Sequence, residues 1–301
     1  MNIIVFGAGA IGSFLGGLLS KSNTVVLIGR APHITKIQEN GLIIQGKTTF
    51  QQKIPAYTDI KETPFEPELI ILTTKSYDTE QAVKHIASVM TEQTHLLTFQ
   101  NGLDNIDKIK QFIPKKQILA AITTQGCLYN APGIITHTGV GRSLIGELNG
   151  KKTSRVNDLV KMFQNAGFPI KMSTNILKEI WMKGIINSSI NPLTASISCK
   201  NGRILQNPIL HHLMEKICTE STRVANTLGY KLSSTEMIQR TQEVIEETKE
   251  NYSSMVQSLQ RNQPTEINSI NGMIIKKGLQ TGCNISCNQT VTKIIQELEQ
   301  T

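Results

Sequence analysis

Apolar residues run unbroken through 3–6, 25–28 and 69–72, inside segments that span 1–6, 24–28 and 69–74. Uninterrupted runs of this length predict strands buried on both faces, as in a parallel sheet. The first run passes into Gly7-Ala8-Gly9-Ala10-Ile11-Gly12 and a helical stretch over 13–20, and a helix over 80–90 follows the third. Residues 96–99 and 118–124 predict two further strands, the last ending near Gly126-Cys127. Residues 133–148 alternate and are glycine-rich, which predicts an antiparallel hairpin at the edge of the first domain, followed by a helix over 154–165. Beyond 176 the spacing is helical almost throughout, at 177–190, 208–228, 234–247, 266–281 and from 288 onward. The pattern predicts an α/β domain with a mostly parallel sheet over 1–173 and an all-α domain over 174–301.

The chain of 301 residues is long enough for two cores, and 39% hydrophobic residues place it among ordinary globular proteins. A net charge of +8 favours anionic ligands. Lysines and arginines are scattered, with no basic run longer than two, and aromatics make up 5%, so no stacking platform for nucleic acid is visible. Five cysteines, at 127, 199, 218, 283 and 287, are odd in number and contain no CxxC pair. That spacing suggests neither a disulfide framework nor a metal site, and it implies a reducing compartment, the cytoplasm. Residues 3–19 are apolar but glycine-interrupted and lack a basic leader, so a strand feeding a helix explains them better than a membrane segment.

Strand, glycine turn and helix together form the dinucleotide-binding unit of a Rossmann fold. Gly7 permits the tight turn, Gly9 lets the backbone approach a pyrophosphate, and Gly12 lets helix and strand pack closely. Ala8, Ala10 and Ile11 complete the phosphate loop. An NAD-binding chain should carry an acid where the second strand ends, to accept from the ribose 2′-hydroxyl. Gly29-Arg30 stands there instead, and a guanidinium suits the 2′-phosphate of NADPH. Lys75 and Asn101 follow later strand ends and face the same expected crevice, although taken singly each suits an ordinary strand terminus or turn.

Lys183, Asn187 and Asn191 recur every four residues among apolar neighbours and so share one helix face. A solvated lysine on a surface helix is the plainer explanation of any one of them. Together, an ammonium and two amides suit a small oxygen-rich molecule whose carbonyl needs polarising. Gly184, inside this helix, weakens it by up to about 1 kcal/mol unless close packing requires it.

These motifs, with Thr73-Thr74-Lys75, Gln100-Asn101-Gly102, Trp181-Met182-Lys183, Asn191-Pro192-Leu193-Thr194-Ala195, Asn201-Gly202, Ser253-Ser254-Met255 and Pro264-Thr265-Glu266-Ile267, resemble the ketopantoate reductase (2-dehydropantoate 2-reductase) family over nearly the whole chain. The resemblance implies a Rossmann-type domain followed by a helical domain like the C-terminal one of 6-phosphogluconate dehydrogenase. It implies NADPH as cofactor, a small 2-keto acid as substrate, and reaction in a cleft between the domains. It makes Lys183 the proton donor and Glu266 a residue at the nicotinamide end. Asn101, Asn187, Asn191, Asn201 and Ser254 would surround the substrate, with Lys75 and the backbone near Cys127 on the cofactor. Asn268 stands where the family usually has aspartate. A reductase of another branched 2-keto acid, or a non-catalytic NADP(H) sensor, would share these features. The apolar helical faces of the second half suit a core or a subunit interface, which leaves a homodimer open.

Overall fold

The computed structural model describes residues 1–300. The chain forms two compact units, one of Met1–Gln100 and Asn105–Leu177, the other of Asn101–Asp104 and the residues from Lys178 onward. In the first unit the elements run β1 (Asn2–Phe6), α1 (Ala10–Leu19), β2 (Thr24–Ile28), α2 (Ala31–Asn40), β3 (Leu42–Gly46), β4 (Phe50–Gln52), β5 (Ala56–Tyr57), β6 (Leu69–Leu72), α3 (Thr79–Ala87) and β7 (His95–Thr98). They continue with α4 (Asn105–Ile109), β8 (Ile118–Thr123), β9 (Gly126–Ala131), β10 (Ile134–Gly139), β11 (Ser143–Glu147), α5 (Ser154–Asn165), β12 (Lys171–Met172) and the start of α6 (Ile176–Ser196).

An eight-stranded sheet has the order β12-β11-β8-β7-β6-β1-β2-β5, parallel from β8 to β5, with β11 antiparallel to β8. The most apolar strands take its centre, where Ile3, Ile4, Val5, Ile70 and Ile71 are buried. The strand order reverses between β1 and β6. Phe6 pairs with both Ile28 and Leu72, so Gly7, Gly29 and Thr73 emerge at one end of three adjacent strands. Helix α1 buries every residue from Gly12 to Leu19, consistent with an apolar helix covered on all sides.

A second sheet, ordered β4-β3-β10-β9, packs on α1 and shares the core that contains Phe14, Leu18, Leu42, Ile44 and Ile135. Its existence corrects the expected 133–148 hairpin. Pro132-Gly133 closes β9 on β10, with Gly133 at φ 78°, while β11 leaves to join β8 in the main sheet. The strand expected to end near Gly126-Cys127 stops at Thr123, and Cys127 belongs to β9. Alternation fixes which face of a strand is apolar but not its partner. His33 joins the layers: the Gly133 N–H donates to Nδ1, which leaves Nε2 to donate to Ser13 Oγ. Burial lowers the His33 pKa to about 4, so the ring stays neutral.

The second unit holds most of α6, then α7 (Arg203–Gln206), α8 (Pro208–Thr227), α9 (Ser234–Glu247), α10 (Ser254–Leu259), α11 (Asn271–Thr281) and α12 (Ser286–Leu298). Helix α8 packs against α9, α11 and α12. Asn207, Ser233 and Ser253 cap α8, α9 and α10 through their side chains. The sequence pattern ended α6 at 190, but it continues through Pro192 to Ser196. The pattern also began a helix at 266, where the chain instead makes turns as far as Ile270, and Thr265 Oγ1 accepts from the Ile267 N–H. Among the described residues no helix is long and apolar enough to cross a membrane.

Candidate active site

The glycine turn is built by close backbone approach. Gly7 has φ 105°, and a Cβ there would lie 2.6 Å from the Thr74 nitrogen; one on Gly12 would fall on the Gly7 carbonyl oxygen. The Gly7 and Ala8 N–H groups donate to the Ile28 carbonyl at 2.9 and 2.8 Å, and Thr73 Oγ1 donates to the Gly7 carbonyl at 2.8 Å. The turn is thus tied to the ends of β2 and β6. Beside Gly9 the space is open, since the sole atom near a Cβ built there is 3.9 Å away. Gly9 caps α1 without a side-chain bond, and the first turn carries no acidic residue. Helix N–H groups without a protein cap, next to open space, fit a pyrophosphate. Ala8 is buried beneath the turn, while Ala10 and Ile11 are half-buried in the first turn of α1.

Arg30 caps α2 two residues past β2 and makes a 3.1 Å ion pair with Asp78. Lys75 follows the end of β6 and caps the short 3-10 turn Ser76–Asp78. Gln100, which the pattern did not single out, donates from Nε2 to the Thr74 carbonyl at 3.0 Å and to Thr79 Oγ1 at 2.8 Å, joining the ends of β7 and β6. Cys127 packs against the core of the first unit, and burial pushes its thiol up to about 12, so it is protonated and unreactive at neutral pH.

In the second unit, α6 carries Lys183, Asn187 and Asn191 at intervals of one turn; Asn191 is buried and Asn187 half-buried. Asn101, at the head of the short segment grouped with this unit, accepts a 2.8 Å hydrogen bond at Oδ1 from Lys183 Nζ. That segment is fixed by the Leu103 N–H, which donates to the Ser269 carbonyl at 2.8 Å. Leu103 lies over Gly184, where a Cβ would meet its Cδ2 at 2.6 Å. Close packing therefore accounts for the glycine inside α6.

Burial lowers the Lys183 pKa from 10.5 to about 8, against an opposing pull from the Glu266 carboxylate. Glu266 is buried in the turn before α11. An ammonium with this pKa holds a proton at neutral pH and can release it to a developing alkoxide.

Asn201 is buried; its N–H donates to the Asn251 carbonyl at 3.0 Å and its Nδ2 to Thr248 Oγ1 at 2.9 Å, while Oδ1 has no partner among the described residues. Ser254 is exposed at the start of α10, whereas its neighbour Ser253 is buried and accepts from Thr194 Oγ1 at 2.8 Å. Asn268 accepts from Gln296 Nε2 at 2.7 Å, a neutral bond at the position of the expected aspartate. The sequence brings up Gln100 only as part of the Gln100-Asn101-Gly102 motif and does not bring up Leu103 or Asn251, because each acts through contacts set by tertiary packing. The one sequence signal was the interior Gly184.

Residues 3–150 match the family described as ketopantoate reductase PanE/ApbA, and residues 175–299 match its C-terminal domain. A 2-dehydropantoate 2-reductase of Pyrococcus abyssi is 38% identical over 279 residues, which cover 92% of this chain and 90% of that one. Among solved structures, a ternary complex of D-mandelate dehydrogenase with NADH and anilino(oxo)acetate superimposes with a TM-score of 0.94 at 27% identity, over 100% of this chain and 99% of the other. A PanE/ApbA family ketopantoate reductase from Ralstonia eutropha gives 0.91, also at 27% identity, with 100% and 99% coverage. With its glycine turn, its lysine–asparagine face and both halves matched in order, the chain belongs to the ketopantoate reductase family of oxidoreductases.

Proposed function

We propose that this protein reduces 2-dehydropantoate to (R)-pantoate with NADPH, a step of pantothenate and coenzyme A synthesis. The Lys183 ammonium carries the reading, since it combines a pKa of about 8, a fixed bond to Asn101 and a nearby carboxylate. NADPH, when bound, supplies the hydride. The first unit holds its pyrophosphate at the Gly7–Gly12 turn, with Arg30 and Lys75 serving the 2′-phosphate end. In the second unit Asn101 holds the Lys183 ammonium in one orientation. Lys183 donates a hydrogen bond to the keto oxygen, stabilises negative charge there as the carbonyl is reduced, and passes its proton to the alkoxide. Glu266 keeps more of the lysine protonated.

Asn187 and Asn191 orient the carboxylate and carbonyl of the substrate from the same helix face. Asn201 Oδ1, buried without a partner, accepts from a substrate hydroxyl. That acceptor favours a hydroxylated keto acid over a purely aliphatic one, because an unmet buried carbonyl costs about 1–3 kcal/mol.

The reaction is tested by following NADPH oxidation with purified protein and 2-dehydropantoate, against 2-ketoisovalerate and against NADH. Fast turnover with NADPH and 2-dehydropantoate, and a kcat/KM at least about tenfold lower with the substrate lacking the hydroxyl, is the expected result. Faster turnover with the aliphatic acid would reassign the substrate. NADPH binding without turnover on any keto acid would make the chain a sensor.

A further inference from the structure

The second strand ends without the acid that usually selects NAD, yet the fold brings a carboxylate to that place from elsewhere. Asp78 lies 48 residues beyond Arg30, in the turn after β6, and its Oδ2 is 3.1 Å from an ω-nitrogen of Arg30. The Arg30 side chain is 78% exposed and that of Asp78 36%. The contact uses one nitrogen of the guanidinium and leaves the others available.

We propose that Asp78 is a cofactor-specificity residue, which lowers this protein's preference for NADPH over NADH by holding a carboxylate beside Arg30. The inference rests on the dinucleotide reading of the glycine turn and not on the identity of the keto acid. A 2′-phosphate held on the open edge of Arg30 would share that guanidinium with the Asp78 carboxylate. Repulsion between two anions on one exposed guanidinium would weaken phosphate binding by about three- to fivefold in physiological salt. The free 2′-hydroxyl of NADH meets the opposite situation, because a carboxylate can accept its hydrogen bond as the strand-end acid of NAD enzymes does. Arg30 and Asp78 therefore divide the two cofactors between them. The contribution of an exposed ion pair to holding Arg30 in place is too small to reverse this order. That a D-mandelate dehydrogenase of the same fold is seen with NADH agrees with a framework that accepts either cofactor.

The test compares wild type with Asp78→Asn, which keeps the shape and removes the charge. Calorimetric binding of adenosine 2′,5′-bisphosphate and of AMP is measured at low and high salt, alongside kcat and KM for NADPH and NADH. The variant should bind the bisphosphate about fivefold more tightly, close to 1 kcal/mol at 1.4 kcal/mol per decade, and AMP more weakly than wild type does, since the acceptor of its 2′-hydroxyl is lost. The gain should shrink in 0.5 M salt, and the NADPH:NADH ratio of kcat/KM should rise through KM and not kcat. An unchanged or lower ratio, or weaker bisphosphate binding, would overturn the proposal; the weaker binding would make Asp78 an anchor for Arg30. Should Asp78→Asn not fold, Asp78→Ser is measured in the same way. Failure of wild type to bind either dinucleotide would instead remove the dinucleotide reading itself.

Discussion

Asn271 supplies the hydrogen bond that Pro192 cannot make. Proline has no N–H, so within α6 it leaves the Ser188 carbonyl, one turn earlier, without its helical donor. Asn271 Nδ2 donates to that carbonyl at 3.1 Å and also to Asn288 Oδ1 at 3.1 Å. Asn288 Nδ2 in turn donates to Glu220 Oε2 at 2.9 Å, and Glu220 accepts the backbone N–H groups of Cys287 and Asn288 at the start of α12. The network is buried and holds the helix that carries Lys183 through its proline. Asn271→Leu should cost about 2–3 kcal/mol in denaturant unfolding, because it takes the Asn271 donor from the buried Ser188 carbonyl and leaves Asn288 Oδ1 with only the longer bond from Ser221 Oγ. A loss below about 0.5 kcal/mol would show that the network does not brace α6.

Lys183 should govern the alkaline limb of the pH profile. With Lys183 as the proposed proton donor, reduction would need its protonated form, so kcat/KM should be level below pH 8 and fall tenfold per unit above it, given a pKa of about 8. The reverse oxidation needs the neutral amine and should rise over the same range. Glu266 pulls the lysine pKa upward, so Glu266→Gln should move this limb to lower pH. Lys183→Ala should lower kcat by about 10²–10⁴ with NADPH affinity retained. A limb that stays in place in Glu266→Gln would remove the carboxylate from this role.

Gly184 makes room for Leu103 and so for the segment that carries Asn101. Gly184→Val should destabilise the protein by about 1–3 kcal/mol and lower kcat/KM, despite removing a poor helix former. Stability that rises, as helix propensity alone predicts, would show that Leu103 yields without disturbing Asn101.

Glu147 is a buried carboxylate held by Arg155 and Thr153. Burial opposes its ionisation, but hydrogen bonds from Arg155 and Thr153 outweigh that and hold its pKa below the usual range. The stability this gives is present above about pH 4.3, the unfolded value, and is lost as pH falls through the lowered folded value. Glu147→Gln should therefore cost about 2–3 kcal/mol at pH 7 and lose less Tm than wild type between pH 5 and 3. Parallel Tm profiles would count against the pair.

Sequence by itself determined β1, β2, β6, β7 and β8 of the main sheet, the glycine turn and the Lys183 face, because each is a local matter: apolar runs for buried strands, glycines where backbone must approach backbone, and a four-residue interval that stacks side chains on a helix. It did not determine partners. The strand at 126–131 was hidden because alternation cannot say which strand pairs with which, and Pro132-Gly133 turned β10 away from β11. Helix α6 runs through Pro192 since a donor 79 residues later completes its backbone. Arg30 is a candidate phosphate ligand from the sequence alone, whereas Asp78 comes into consideration only where the end of β2 meets the turn after β6. Tertiary structure decided these points because hydrogen bonds and charges act over a few ångströms, and folding alone sets which distant residues come that close.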